Sequence, residues 1–212
     1  MTADRVIALV DDDAEVLAAL GRLLRAEGFV VRPFASAQEF MDARDGGPTS
    51  CLVLDVAMPG IDGLELQQRL ALDGTAPPIV FLTAHGDIPM RVQAMKAGAV
   101  GFLQKPVDRA DLLRAIHLAC ALAEAGALAE AELKVLRERL ATLTVRERKV
   151  FEQMVEGRLN KQIDAEFGAD VHAVKVQRRR VLEKMAADSI TDLVKAALRL
   201  GLIDQPSGTS PR

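Results

Sequence analysis

Four short apolar runs, each followed closely by a polar residue, constrain the fold of this 212-residue chain more than any other feature. They are Val6–Val10 before Asp11 and Asp12, Cys51–Leu54 before Asp55, Ile79–Leu82 before Thr83, and Val100–Leu103 just ahead of Lys105. Runs of four or five apolar residues bounded by turn signals read as strands buried on both faces, and the segments between them have helical period. Strands alternating with helices predict a parallel sheet covered on both sides, a doubly wound α/β fold. In such sheets the ligand-binding loops lie beyond the carboxyl ends of the strands. Asp11, Asp12, Asp55, Thr83 and Lys105 are therefore expected to converge on one site.

Their residue types limit the chemistry of that site. Two or three carboxylates with no Cys or His beside them form a hard oxygen cage, which suits Mg²⁺ and leaves positions for water and phosphoryl oxygen. The Thr83 hydroxyl and the Lys105 ammonium supply a neutral donor and a compact cation, and one carboxylate can act as a nucleophile, giving an aspartyl phosphate. Duller readings compete. A run of aspartates is commonly a solvated helix N-terminus, and Asp13 is expected to cap the helix that begins Ala14-Glu-Val-Leu17. Phe102 taken alone is a core residue, and Met58-Pro-Gly60 a turn. That turn also serves the site, because the loop after Asp55 must bring backbone near a metal and then start a helix at about Asp62.

At 50% hydrophobic residues, a chain of this length favours two domains over one. No segment approaches eighteen apolar residues without a charge, and no basic n-region with an apolar stretch opens the chain, so no membrane span and a cytoplasmic location are expected. Cys51 and Cys120 have no CxxC or clustered His around them and read as reduced structural thiols. His85, His117 and His172 are isolated and point to no metal. The net charge of −3 hides an asymmetry. Residues 1–119 carry 11 Lys/Arg against 16 Asp/Glu, a net −5, whereas residues 142–185 carry 10 against 7, a net +3. Opposite-signed halves suggest two jobs. Lys175, Arg178, Arg179, Arg180 and Lys184 concentrate the positive charge in ten residues of helical pattern.

Residues 108–141 read as one long or barely interrupted helix. Leu112, Leu113, Ile116 and Leu118 are expected to pack the first domain. Leu122, Ala129, Leu136 and Leu143 then recur every seven residues with Leu133 and Leu140 between them, a short a/d seam broken at Ala125-Gly126. The seam fits a coiled coil or packing against a neighbouring domain. Beyond it the chain reads as helix (145–156), turn at Gly157-Arg158, short helix (161–167), turn at 168–170, longer helix (172–185), and an amphipathic helix from Thr191. Thr144 with Glu147 three residues on makes a capping box. Two helices joined by a tight turn, the second one basic, predict a helix-turn-helix.

Val10-Asp-Asp-Asp13, Leu54-Asp-Val-Ala-Met-Pro-Gly-Ile-Asp-Gly63, Thr83-Ala-His-Gly-Asp87 and Gly101-Phe-Leu-Gln-Lys-Pro106 resemble, in order and spacing, the receiver domain of two-component response regulators. The resemblance covers residues 4–120 and implies a five-stranded sheet. It implies Asp55 as phospho-acceptor, Asp12 as main Mg²⁺ ligand with Asp11 its water-mediated helper, and Ala57 giving a backbone carbonyl to the metal. Thr83 and Lys105 match the family's switch hydroxyl and lysine, Phe102 its switch aromatic, and Lys105-Pro106 is often cis there. Residues 142–204 are similar to the DNA-binding domain of LuxR-type regulators, through Leu143-Thr-Val-Arg-Glu147, Asn160-Lys-Gln-Ile163 and Val174-Lys-Val-Gln-Arg178. Ala173 and Gln177 depart from that pattern, standing where Thr and His are common.

Together the two matches look like the NarL/FixJ class, most of all its FixJ branch. They imply a receiver over residues 1–120, a linker helix over 121–141, an all-α helix-turn-helix domain over 142–204 and a disordered tail over 205–212. On the second helix of the motif, Lys175, Val176 and Arg179 would face base edges, while Lys161, Arg178 and Arg180, with Asn160 beside them, would hold the backbone. The expected partners are a sensor histidine kinase, double-stranded DNA and, when phosphorylated, a second copy of the chain, with RNA polymerase a further candidate. Output would run through dimerisation or through release of the DNA-binding half. An adaptor acting by protein contacts alone is the competing reading. A phosphohydrolase fits less well, since its nucleophile follows the first strand in an Asp-x-Asp arrangement, so no enzyme is expected.

Overall fold

A computed structural model describes residues 5–43, 47–74, 76–84, 88–157 and 171–203. Two compact units emerge, Met1–Ala127 and Leu128–Arg212. The first alternates strand and helix: β1 (Val6–Val10), α1 (Ala14–Ala26), β2 (Val30–Phe34), α2 (Ala37–Asp42), β3 (Cys51–Asp55), α3 (Gly63–Leu72), β4 (Ile79–Thr83), α4 (Ile88–Lys96) and β5 (Gly101–Gln104). Helix α5 (Arg109–Ala141) follows and runs through Ala125-Gly126 without a break. All strand pairs are parallel, in the order β2-β1-β3-β4-β5.

The strands bury two apolar faces because helices cover both. Along β3, Leu52 and Leu54 join a core with Val10, Phe81, Leu66 of α3 and Ala94 of α4, whereas Cys51 and Val53 join Ile7, Leu82, Leu24 of α1 and Ile116 of α5 on the opposite face. That side-to-side alternation is the period-two geometry of a strand, with apolar residues on both sides as a covered parallel sheet demands. Strand β2 has no such run in the sequence, since Arg32 and Pro33 interrupt it. It lies at the sheet edge, where a missing N–H and a charged side chain are tolerated.

Helix starts fall where capping chemistry sets them. The Asp13 carboxylate accepts from the Glu15 and Val16 amides at 2.8 and 3.3 Å, and Asp62 accepts from Glu65 at 2.8 Å. Asp13 is thus the cap of α1 expected of it. Within α5, Leu112 and Ile116 are fully buried and Leu113 is partly so. Leu118 is 53% exposed, against the expectation that it packs the first domain, because it falls on the helix face turned from the sheet. By length and composition α5 could cross a membrane. Its first turns are instead a core helix, with Leu112, Ile116, Ala119 and Cys120 packed on the sheet and Glu124 paired to Arg5 at 2.8 Å.

The second unit holds the end of α5, α6 (Val145–Val155), α7 (Val171–Met185) and α8 (Ile190–Arg199). Leu136, Leu140 and Leu143 of the heptad stripe pack with Phe151, Met154, Val181 and Leu193 in its core, so this half of the stripe serves its own unit. Leu122 remains half-exposed. The expected helix at 161–167, the turns on either side of it and the tail from residue 205 lie outside the described residues.

The capping box at α6 is present: Glu147 N donates to Thr144 Oγ1 at 3.2 Å and Thr144 N donates to Glu147 Oε2 at 2.8 Å. Lys184 of α7 donates to the same carboxylate at 2.6 Å and to the Thr142 carbonyl at 3.1 Å, binding three elements together. The Lys184 contact, with the Thr144 amide, holds the Glu147 carboxyl down to about 2. Folded Glu147 therefore releases its proton more readily than the unfolded residue. Its stabilisation is complete above about pH 4.5 and is lost as the pH falls towards about 2. Glu147→Gln keeps an acceptor for the cap but not the charge. It is expected to cost about 1–2 kcal/mol at neutral pH, with the difference vanishing in acid. Chemical denaturation across that range checks it, and equal stabilities at neutral pH would contradict the role.

Candidate functional site

With β3 at the centre of the sheet and β1 and β4 beside it, the residues that end these strands meet at one edge. Asp11 follows β1, Asp55 closes β3, Thr83 closes β4, and Lys105 follows β5. Asp11, Asp55 and Thr83 are buried and Asp12 is exposed. One carboxylate oxygen from each of Asp11, Asp12 and Asp55 lies within 4.8 Å of the others. All five residues expected to converge are thus brought to one end of the sheet. Phe102, partly buried on β5, has its ring centroid 6.0 Å from that of Phe81.

Lys105 ties the cluster together. Its ammonium donates to Asp11 Oδ2 at 2.7 Å and pairs with Asp55 Oδ1 at 2.8 Å, while its backbone N–H donates to the Thr83 carbonyl at 2.7 Å. The peptide it forms with Pro106 is cis. Two other oxygens are held from the backbone: Asp13 N donates to Asp11 Oδ1 at 3.0 Å, and Ala57 N donates to Asp55 Oδ2 at 3.1 Å. Burial pushes the Asp55 carboxyl above the usual carboxylate range, against the pull of Lys105, and the nearby Asp11 charge adds to the rise. Burial alone would lower the Lys105 ammonium, but its contacts with Asp11 and Asp55 outweigh this and raise it, so it stays a cation.

Three carboxylates converging from the ends of β1 and β3, with no nitrogen or sulfur donor among them, suit a hard divalent cation of the Mg²⁺ type. Asp12 gives the cluster an open side to solvent. Asp11 is committed to Lys105 and the Asp13 amide.

A second group of functional candidates lies on α7. Lys175, Val176, Arg179 and Arg180 are exposed, at positions one face of a helix brings together. Arg178 is half-buried, and burial lowers its guanidinium. Arg179 Nε pairs with Glu183 Oε1 at 2.8 Å, a contact whose i, i+4 spacing could have been read from the sequence. Lys184, counted with the basic run, is taken up by Glu147 and Thr142 and belongs to the packing of this unit. Asn160 and Lys161 lie outside the described residues.

Residues 7–117 match the model of the response regulator receiver domain, and residues 141–197 match that of the luxR family of bacterial regulatory proteins. The chain is 41% identical to the transcriptional regulatory protein FixJ of Bradyrhizobium diazoefficiens over 96% of its own length and all of that protein's. It is also 41% identical to the response regulator protein TodT of Pseudomonas putida, over 92% of this chain and 86% of that one. Among solved structures, the response regulator StyR covers 92% of this chain at 41% identity with a TM-score of 0.81, and 98% of that chain is covered in return. Full-length FixJ from B. japonicum gives 0.57 at 41% identity, over 96% of this chain and all of that one.

If the carboxylates and Lys105 form one electrostatic unit, removing the ammonium leaves two buried anions uncompensated. Lys105→Met is expected to cost on the order of 3 kcal/mol without divalent ions, and Mg²⁺ should raise its melting temperature more than it raises that of the unaltered protein. Asp12→Ala should lose most of the Mg²⁺ response. Equal Mg²⁺ shifts in all three proteins would show that the residues do not share a cation site.

Proposed function

The chain belongs to the two-component response regulators that join a receiver domain to a LuxR-type DNA-binding domain, and on that premise we propose that phosphorylation of Asp55 by a sensor histidine kinase gates its action on transcription. A regulator of this family is a DNA-binding transcription factor. What carries the reading of Asp55 is the double grip of Lys105 on Asp11 and Asp55 beside a third carboxylate at the carboxyl edge of the sheet.

Phosphoryl transfer asks a protein mainly to place its nucleophile and to offset charge. Asp55 is held on both oxygens, by Lys105 and by the Ala57 amide, with one face turned to the cluster. One oxygen attacks the phosphorus of the phosphohistidine, the P–N bond breaks, and its electron pair leaves with the imidazole. Lys105 can follow the new phosphoryl oxygens without leaving Asp11. Asp12, Asp55 and the Ala57 carbonyl would hold Mg²⁺, with Asp11 reaching it through water, and the ion would supply positive charge to offset that of the reacting groups. Asp12 fits direct ligation because it is exposed and its cluster partners are buried.

The Thr83 hydroxyl reads the phosphoryl group, and Phe102, against Phe81, carries the signal to the surface of α4, β5 and α5. The consequence is dimerisation or release of the DNA-binding unit. In that unit Lys175, Val176 and Arg179 of α7 read base edges, and Arg178 and Arg180, with Asn160 and Lys161, hold phosphates. Arg179 exchanges its Glu183 partner for a base. A regulator working in this way acts in the cytoplasm.

Asp55→Asn is expected to abolish the mass gain of one phosphoryl group on incubation with acetyl phosphate and Mg²⁺, and undiminished labelling would remove the assignment. On DNA, Arg179→Ala should cost about 1–3 kcal/mol on the preferred site and little on random sequence. Arg178→Ala should weaken both alike and reduce the salt slope by about one unit. Binding indifferent to both changes would favour the adaptor reading.

A further inference from the structure

We propose that Gly63, the first residue of α3, is a positioning residue for the Asp55 site: it leaves room for the Asp55 carbonyl, and any side chain there would move the acceptor and the loop that carries Ala57. The inference rests on the reading of Asp55 as phospho-acceptor and metal ligand. A Cβ built on Gly63 falls 2.3 Å from the Asp55 carbonyl oxygen, 3.1 Å from Val56 Cα and 3.2 Å from the Asp55 carbonyl carbon. All three are backbone atoms, so no rotamer change relieves the contact. Side-chain Cβ atoms essentially never come within 3.0 Å of another heavy atom, so about 0.7 Å must be found by shifting main chain.

The peptide that would have to move is tied on both edges. Its carbonyl faces Gly63, and its N–H, that of Val56, donates to the Leu82 carbonyl of β4 at 2.9 Å. The next carbonyl, that of Val56, accepts from the Gly63 amide at 3.0 Å. Turning the Asp55–Val56 peptide to make room changes the ψ angle of Asp55 and carries Ala57 with it. The contacts of Asp55 Oδ1 with Lys105 at 2.8 Å and of Oδ2 with the Ala57 amide at 3.1 Å cannot absorb such a shift and remain hydrogen bonds in good geometry. The demand on residue 63 is therefore for an absent side chain. Its backbone is ordinary helix, unlike Gly60 before it with φ +79°.

The test compares Gly63→Ala with Asp62→Ala in the full chain. Asp62 caps α3 through the Glu65 amide, so its removal loosens the same helix end without placing an atom against Asp55. Melting temperature, Mg²⁺ affinity by calorimetry and labelling rate with acetyl phosphate are measured on both. Gly63→Ala is expected to bind Mg²⁺ about tenfold more weakly and to label about tenfold more slowly, the scale of loss that sub-ångström misplacement of a reacting group produces. Asp62→Ala should melt lower with both site properties kept.

Wild-type Mg²⁺ affinity and labelling in Gly63→Ala would overturn the proposal, and so would losses in both variants that merely track their melting temperatures. Should Gly63→Ala not fold, the unaltered protein decides: the Asp55 carbonyl-carbon and Gly63 amide resonances should shift along one Mg²⁺ binding curve, and a silent Gly63 amide would overturn it. Failure of the acceptor reading shows separately, as labelling that persists in Asp55→Asn.

Discussion

One ammonium between two buried carboxylates is the interaction on which the receiver half turns. Lys105 offsets the charge of Asp11 and Asp55 together, and the two carboxylates in turn hold its ammonium in place. The three come from the ends of β1, β3 and the segment after β5, so the pairing closes only when the sheet has its correct order. Lys105 is also bound through its backbone to Thr83, which makes the same residue a strut between the last two strands. The electrostatic needs of the site and the connectivity of the sheet are in this way one constraint.

The surrounding geometry keeps that triangle aimed. The Ala57 amide holds the second Asp55 oxygen, the Asp13 amide holds Asp11, and α3 starts hard against the Asp55 carbonyl with a residue that has no side chain. All of these contacts come from the backbone and none from a side chain. They show how a fold built from strand ends makes precision: Asp55 is fixed by its own backbone neighbours, and the cluster stays open to solvent at Asp12.

The C-terminal unit solves a related problem with a different element. A bundle of short helices has little core, and here Glu147 joins the N-terminus of α6, the chain just before it and α7 through one carboxylate. Lys184 is spent in that joint. The exposed basic face of α7 is thereby narrowed to Lys175, Arg179 and Arg180 beside Val176, with Arg178 half-sunk at its edge and Arg179 held by Glu183.

Much of this was legible in the chain itself, where the physics is local. The core strands announced themselves as apolar runs because a sheet covered on both faces needs apolar residues on both. Helix starts at Ala14 and Val145 followed from Asp13 and Thr144, since a cap is satisfied within three residues. Strand β2 was hidden, because an edge strand tolerates the Arg and Pro that spoil its pattern. The heptad stripe was ambiguous, because a seam of leucines looks the same whether it meets a second helix or its own domain, and Leu140 and Leu143 turned out to fill the core of their own unit. Sequence likewise counted Lys184 with the basic run and Leu118 with the core. What it could not contain was distance: that Lys105 grips two carboxylates at once, that Lys184 reaches back 37 residues to Glu147, and that Gly63 lies against a carbonyl eight residues before it. Those contacts join residues remote in the chain, and only the closing of the sheet and the bundle decides them.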